Sequence, residues 1–471
     1  MPVDATLPDA TPVMRPPNIQ TGPIAWLRAN LFSSVGNSIL TLVSLYFIVR
    51  LIAGALDWAI FSAVFTGEDG AVCRGEGKGA CWPFVSAKFA QFMYGRYPEE
   101  LRWRVNLTFI LALAGIIPLM IPAIPGKGIQ VFYTLIVFPI LAYWLLTGVS
   151  PQKAMTPEEL IRFQQENARW YLWYLAIKPY IGPVLIGMSA ILFLLSVVAR
   201  QLLIPQTMQL LGGVLFTLSL PFWAETFFAA LDQGRILGLA SARPAGEPFS
   251  AFPVVKTEYW GGLLVTLVVA SVGITCSYPV GIILALGRRS RMPIARWASV
   301  FFIETVRAVP LITILFMSSV MLPYFLPPGV EFDKLLRALV GVALFAGAYM
   351  AETIRGGLQA IPRGQFEAAD ALGLSYPKKM GLIVLPQALK LVIPGIVNSF
   401  VGLFKDTSLV LIIGLFDLLN IVQSNMTDAK WFAPQTAMTG YVFAAAFFWA
   451  FCFAISRYSQ WLEKRLRTDH K

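Results

Sequence analysis

The sequence predicts an all-α fold, a polytopic transmembrane helical bundle, on three observations. Apolar residues form 57% of the 471 and charged residues 13%, against roughly 45–50% and about 25% in soluble domains. Ten mostly apolar stretches come near the length, about 20 residues, that a helix needs to cross a bilayer. The net charge of +11 is gathered into short loops, as basic residues are on the cytoplasmic side of membrane proteins. Arg288, Arg289, Arg291 and Arg296 share one loop, and Lys464, Arg465, Arg467 and Lys471 form the C-terminal tail. Neither cluster carries the interleaved aromatics of a single-strand binder. Membrane lipid is therefore the expected surrounding, and nucleic acid is not an expected partner.

In chain order, residues 1–36 are a cytoplasmic tail and the entry to the first span. No apolar core precedes a cleavage site, so a signal peptide is not expected. Spans are expected at 37–60, 105–123, 130–149, 184–204 and 208–230, then at 262–286, 298–323, 335–355, 384–404 and 436–458. Residues 66–104 form an outer cap with Cys73 and Cys81, where a disulfide stands against two free thiols. Cys276 and Cys452 fall inside spans as small apolar fillers. Residues 150–183 read as an interfacial helix. Thr156 and Glu159 have capping-box spacing, and Trp170, Tyr171, Trp173 and Tyr174 suit the membrane interface. Residues 231–258 read as a linker, which makes 37–258 a transmembrane extension and 259–471 the core. The short apolar stretch 408–424, interrupted by Asp417, reads as a scoop-like, partly inserted helix. Placing the loop 287–297 inside makes 324–334 external, 357–383 internal and 425–435 external, with both termini cytoplasmic. Arg50, within the first span, either snorkels or faces another subunit.

The internal segment 357–383 carries the densest pattern. Pro362 and Gly364 are expected to end the preceding span, and Gln365 to Leu372 to form a short helix. Phe366 and Ala369 share one face of it, Ala368 and Leu372 the adjoining one. Glu367 and Asp370 near its start would suit the positive helix N-terminus. Gly373 should end it, and Ser375 should cap a second helix beginning at Tyr376-Pro377. The small residues let a partner surface approach closely. An ordinary interfacial hairpin accounts for the helix–turn–helix, but not for Glu367-Ala368-Ala369 followed at fixed spacing by Gly373, Ile383 and Leu385-Pro386.

Ionisable residues inside spans are costly to bury and are functional candidates by default. Glu304 and Arg307 lie three apart, as do Glu352 and Arg355, so each pair shares a helix face. They form two local ion pairs that pin helix packing, or they line a solute pathway. Lys405, Asp406, Thr407 and Ser408 make a polar tetrad between apolar stretches, as expected where the backbone leaves helical geometry beside a cavity. Thr407 and Ser408 would there meet a solute or cap the scoop helix; Asn398 and Asp417 are secondary candidates. No phosphate-binding GxxxxGK[ST] motif and no HExxH occurs, and the single histidine is His470. No catalysis, metal or resident cofactor is expected.

The Glu367–Pro386 pattern resembles the cytoplasmic coupling loop of ABC-importer permeases. The resemblance extends through YWGGLLVTL (259–267), ALGRRS (285–290), VRAVPLITILF (306–316), AYMAETIRGGLQAIPRGQFEAADALGL (348–374), LPQALKLVIPGIVN (385–398) and LFKDTSLV (403–410). These look like the permeases of polar-amino-acid importers, and most like the M-type permease of general L-amino acid importers. The outer ACWPFV, YGRYP and RWR (80–104) also resemble that subfamily, whereas 150–230 looks longer than its usual shape. The resemblance implies a type I ABC importer permease (MetI-like) core in a bacterial inner membrane. It implies ATPase coupling through Gly364, Gln365, Phe366, Glu367, Ala368, Ala369, Asp370, Leu372 and Gly373. It also implies a cytoplasmic ATPase dimer that holds the Mg-ATP, a second related permease and a periplasmic amino-acid-binding protein. A secondary transporter driven by an ion gradient is the alternative; it would be expected to show repeated halves with broken helices.

Overall fold

The computed structural model describes residues 22–148, 181, 184–191, 219, 253–325 and 332–466. The expected interfacial helix at 150–183, most of the spans at 184–204 and 208–230 and most of the linker lie outside the described residues. Among the described residues, seven helices are long and apolar enough to cross a membrane, or eight if one bent pair is a single span. The chain divides into two compact units, residues 1–86 with 429–439 and residues 87–428 with 440–471.

In the first unit, the Ser34 hydroxyl caps helix α1 (Val35–Leu56) by accepting from the Asn37 N–H. A π-helical turn, Asp57–Phe61, prolongs it to a 27-residue span whose apolar window is nowhere buried. A helix that is apolar all round needs lipid or another subunit to cover it. Beyond it, Cys73 and Cys81 are disulfide-bonded, with Cα atoms 5.8 Å apart, and both are buried. The Gly70 N–H donates to the Lys430 carbonyl (2.8 Å) and the Cys81 N–H to Thr439 Oγ1 (2.9 Å). Phe84 meets Trp431 at 6.3 Å between ring centroids. Residues 66–86 and 429–439 therefore pack together.

In the second unit, helix α2 (Arg102–Met120) carries a buried guanidinium. Arg104 Nε donates to the Leu145 carbonyl (2.6 Å) and Nη1 to that of Pro253 (2.9 Å). The main seam joins α3 (Leu263–Arg288) to α6 (Lys334–Ala360). Gly273, Ser277, Gly281 and Ala285 recur every four residues on α3 and are all buried, facing a partner stripe of Ala343, Gly347 and Ala351. A Cβ at Gly281 would lie 2.6 Å from Met350 Cγ, and one at Gly347 2.5 Å from Val280 Cγ1. Between apolar membrane helices, such small-residue stripes supply the close van der Waals packing that drives association.

Two expected spans and the expected scoop helix take other shapes. The stretch 298–323 is two helices, α4 (Pro293–Ala308) and α5 (Leu311–Phe316) with its π and 3-10 continuation to Phe325, bent by 106°. Pro310 is the cause: it forces Val309 into extended backbone (φ −105°, ψ 135°) and ends α4. The stretch 384–404 is likewise interrupted, as α8 (Leu385–Leu391) and α9 (Ile393–Asp406), which follow the short α7 (Arg363–Ala371). Pro386 and Pro394 lack the N–H groups a continuous helix would use, and the crossing becomes Ile393–Ile413. The stretch 408–424 begins as a 3-10 end to that crossing, Thr407–Ile413, and only Leu418–Asn425 (α10) forms the separate helix. Between them, β2 (Phe416–Asp417) pairs in parallel with β1 (Gly261–Gly262). Gly262 sits at φ +64°, and a Cβ there would lie 2.1 Å from the Phe92 carbonyl oxygen, so glycine alone fits. The last span is α11 (Pro434–Leu466).

Candidate functional site

The segment expected to couple is a short, firmly anchored helix, α7 (Arg363–Ala371). The preceding span ends at Ala360 because Ile361, before Pro362, is extended (φ −73°, ψ 127°). Gly364 does not stop that span: it is the second residue of α7, and Pro362 occupies the N-cap position. The early start also overturns the dipole argument for the acidic residues. No acidic residue lies in the first turn, and Asp370 lies in the last, where Lys379 Nζ pairs with it at 2.5 Å. Gly373 ends the helix as expected. At φ +68° it donates to the Asp370 carbonyl (2.9 Å), while the Leu374 N–H reaches back to Ala369 (3.2 Å). These two bonds are the Schellman pair that satisfies the last carbonyls. Ser375 occupies the next N-cap, but its hydroxyl makes no capping bond; Pro377 at the second helical position has no N–H to offer.

Phe366 and Ala369 anchor α7. Ala369 is fully buried, and the half-buried Phe366 packs against a cluster that includes Ile354, Leu358, Met380 and Val384. Gln387 Nε2 donates to Gln365 Oε1 at 3.1 Å, tying α8 to the same helix. Glu367, Ala368 and Ala371 are exposed, and Leu372 is 74% exposed. An apolar side chain this open beside two alanines leaves a flat, adhesive face.

Next to α7, the four charged candidates converge with a residue of α3 into one cluster. The expected Glu304–Arg307 pair does not form. Glu304 instead accepts from Arg288 (2.7 Å), and Arg307 lies over the Tyr349 ring at 5.3 Å and reaches Glu352 at 3.7 Å. The bend at Pro310 lays α4 across the ends of α3 and α6, which substitutes Arg288 for the local partner. Glu352 is the hub, only 15% exposed, taking Arg355 at 2.7 Å and Arg288 at 2.9 Å. Three arginines against two glutamates leave one net positive charge. Arg289 connects cluster and helix, donating to the Leu358 carbonyl (2.8 Å) with its guanidinium 5.5 Å from the Phe366 ring centroid. In the sequence Arg288 and Arg289 carried only topological meaning; the signal for more was two basic residues closing an apolar span.

The tetrad is differently employed. Thr407 Oγ1 donates to the Phe404 carbonyl (2.9 Å) and Ser408 Oγ to that of Lys405 (3.1 Å), so neither hydroxyl caps the scoop helix. Asp417 does so: its Oδ1 accepts from the Asn420 N–H (3.0 Å) and side-chain amide (2.5 Å). Burial pushes the Asp417 carboxyl up, against the lowering effect of these bonds. Lys405 is exposed and Asp406 half-buried, and Lys405 makes no ion pair among the described residues. The described residues group no three His, Cys, Asp or Glu side chains that could hold a metal.

Residues 277–468 match the family of binding-protein-dependent transport system inner membrane components. The inner membrane amino-acid ABC transporter permease protein YhdY of Escherichia coli is 42% identical, over 94% of this chain and 93% of that one. The glutamate/glutamine/aspartate/asparagine transport system permease protein BztC of Rhodobacter capsulatus is 40% identical, over 97% and 96%. The probable glutamine ABC transporter permease protein GlnP of Bacillus subtilis is 34% identical, and 44% of this chain matches 92% of it. With a helical bundle, an anchored EAA helix and near full-length likeness to two such permeases, the chain belongs to the amino-acid ABC importer permeases.

Proposed function

We propose that this chain is the M-type permease of an importer of many L-amino acids, built as a transmembrane extension (37–258) and a permease core (259–471). In this reading it passes the stroke of a cytoplasmic ATPase dimer into the pore and hydrolyses no ATP itself, Mg-ATP being held by the ATPases. A second, related permease completes the pore, and a periplasmic binding protein delivers the solute. Both termini lie in the cytoplasm. The observation that carries the reading is the exposed face Glu367, Ala368, Ala371 and Leu372 on a helix fixed from behind by the packed Phe366 and the buried Ala369. A rigid lever transmits motion; a loose loop absorbs it. Displacement of α7 would pass through Phe366 and Arg289 to the ends of α3 and α6, and so to the pore.

Purification of the tagged protein from its own membrane in mild detergent, followed by mass spectrometry, tests this. An ATPase and a second permease should accompany it. Recovery alone, with uptake that collapses when an ion gradient is removed, would defeat the reading.

Lys405 is the pathway residue that the geometry favours within the tetrad. It lies twelve residues into the crossing Ile393–Ile413, about 18 Å along a helix. An exposed ammonium at that depth costs about 3 kcal/mol or more against lipid, so it faces a watery path or another subunit. A solute carboxylate is its natural partner. Lys405→Met should raise the concentration for half-maximal uptake by roughly tenfold, the worth of one charge-assisted hydrogen bond. Unchanged uptake kinetics in proteoliposomes would remove Lys405 from the path.

A further inference from the structure

We propose that the cavity formed by Arg288, Arg289, Arg296 and Arg355 binds the phosphate of an anionic phospholipid. The cavity holds about 390 Å³, and Val300 and Gln359 complete its lining. Every charged residue of that lining is an arginine. Glu352 and Glu304 engage Arg288 and Arg355 from the side. Arg289 gives one N–H to the Leu358 carbonyl, and the guanidinium of Arg296, which is exposed, makes no hydrogen bond or ion pair among the described residues. Two guanidinium forks thus keep donors for an incoming anion, and their planar geometry matches phosphate oxygens in pairs.

The surroundings make that phosphate a lipid's. Helix α3 ends at Arg288, so the cavity lies where an apolar span leaves the bilayer. On the adjoining face of α4, Ile294 is 83% exposed, Trp297 70% and Phe301 58%, with the two rings stacked at 5.5 Å. Spaced by three and four, these side chains form one apolar strip, and tryptophan favours the headgroup level. A phosphate in the cavity would leave its acyl chains against that strip. Basic pockets at the ends of spans gain further from the negative surface potential of the leaflet. Free inorganic phosphate shares the headgroup chemistry but offers nothing to the apolar face. Arg289 also lines a neighbouring cavity with Arg363, Phe366 and Glu367, so occupancy bears on α7; that consequence rests on the coupling reading, the binding does not.

The assembly purified from its membrane in mild detergent is titrated with phosphatidylglycerol, phosphatidylethanolamine or inorganic phosphate, and ligand bound to this chain is read by native mass spectrometry. Phosphatidylglycerol should be retained in preference to phosphatidylethanolamine. Arg296→Gln should weaken its binding roughly tenfold, and Arg289→Gln with Arg296→Gln should abolish it. Arg291→Gln, in the same loop but outside the cavity lining, should bind as the parent does. Arg296 has no internal partner to lose, and Arg296→Lys should recover part of the binding, which separates site loss from misfolding. Equal weakening in Arg291→Gln, or none in the double variant, would overturn the site and leave only diffuse attraction. Displacement of the lipid by inorganic phosphate alone would overturn lipid as the occupant. Because the readout is ligand on this chain, a missing ATPase would count against the transport reading without touching this result.

Discussion

Gly373→Trp leaves the protein inserted in the membrane and reduces amino-acid uptake by roughly thirtyfold or more, the cost of losing an interface hot spot of about 2 kcal/mol. Two effects combine. Gly373 sits at φ +68°, where a residue with a Cβ pays about 1–2 kcal/mol of backbone strain, which loosens the Schellman turn that squares off α7. The second effect falls on the partner. A Cβ at Gly373 would meet no heavy atom of this chain within 4 Å, so an indole there projects outward, into the space beside Leu372 that an ATPase would fill. The fold tolerates the side chain and the docked partner does not. Gly373→Asn separates the two effects, because asparagine accepts the left-handed conformation and is small. It should retain most of the uptake. ATP-driven uptake in proteoliposomes, alongside the amount of ATPase recovered with each variant, is the measurement. Normal uptake by Gly373→Trp would remove α7 from the coupling interface.

The sequence carried α7 well because its determinants are local. Pro362, the small residues and Gly373 set a helix start, face and stop within a dozen positions. It misjudged the segment's first turn, because Gly364 two residues after Pro362 looked like punctuation, whereas proline at an N-cap opens a helix as readily as it closes the previous one. The spans were legible where the apolar run was free of proline, as in α1 and α6, and in α3, which continues through Pro279. Pro310, Pro386 and Pro394 broke the others, and composition alone does not register a bend of 106°. The stripe Gly273, Ser277, Gly281 and Ala285 was readable in principle, since its spacing of four is a packing signal, and it sets which ends of α3 and α6 meet. Of the charged cluster, only the Glu352–Arg355 pair was readable, since it forms as its spacing of three suggested. Spacing of three pointed Glu304 to Arg307, but side-chain partners across helices depend on how α4 lies after the bend, and that is set by residues far away in sequence.

Glu352→Gln should destabilise the protein by about 3 kcal/mol, the lower end of what breaking a buried ion pair costs, and should depress uptake with it. The lower end applies because the guanidiniums around it keep some access to solvent. Arg288 is 24% exposed, Arg355 30% and Arg307 35%. Glutamine keeps the shape and one acceptor oxygen but removes the charge that three arginines from α3, α4 and α6 share. The cluster then passes from one net positive charge to two, and its repulsion acts between the helix ends that carry α7. Glu304→Gln is the contrast. Glu304 is 55% exposed and, among the described residues, bonded only to Arg288, so its loss should cost less than about 1 kcal/mol, as exposed pairs do. The decisive variant pairs Glu352→Gln with Arg355→Gln. If charge imbalance is the cause, removing one arginine should restore at least half of the lost stability, a coupling that distant, independent sites would not show. Thermal unfolding of the purified protein in detergent measures all three. A Glu352→Gln midpoint equal to the parent's would mean that solvent already screens the cluster, and α3, α4 and α6 would then be held by the small-residue seam and apolar packing alone.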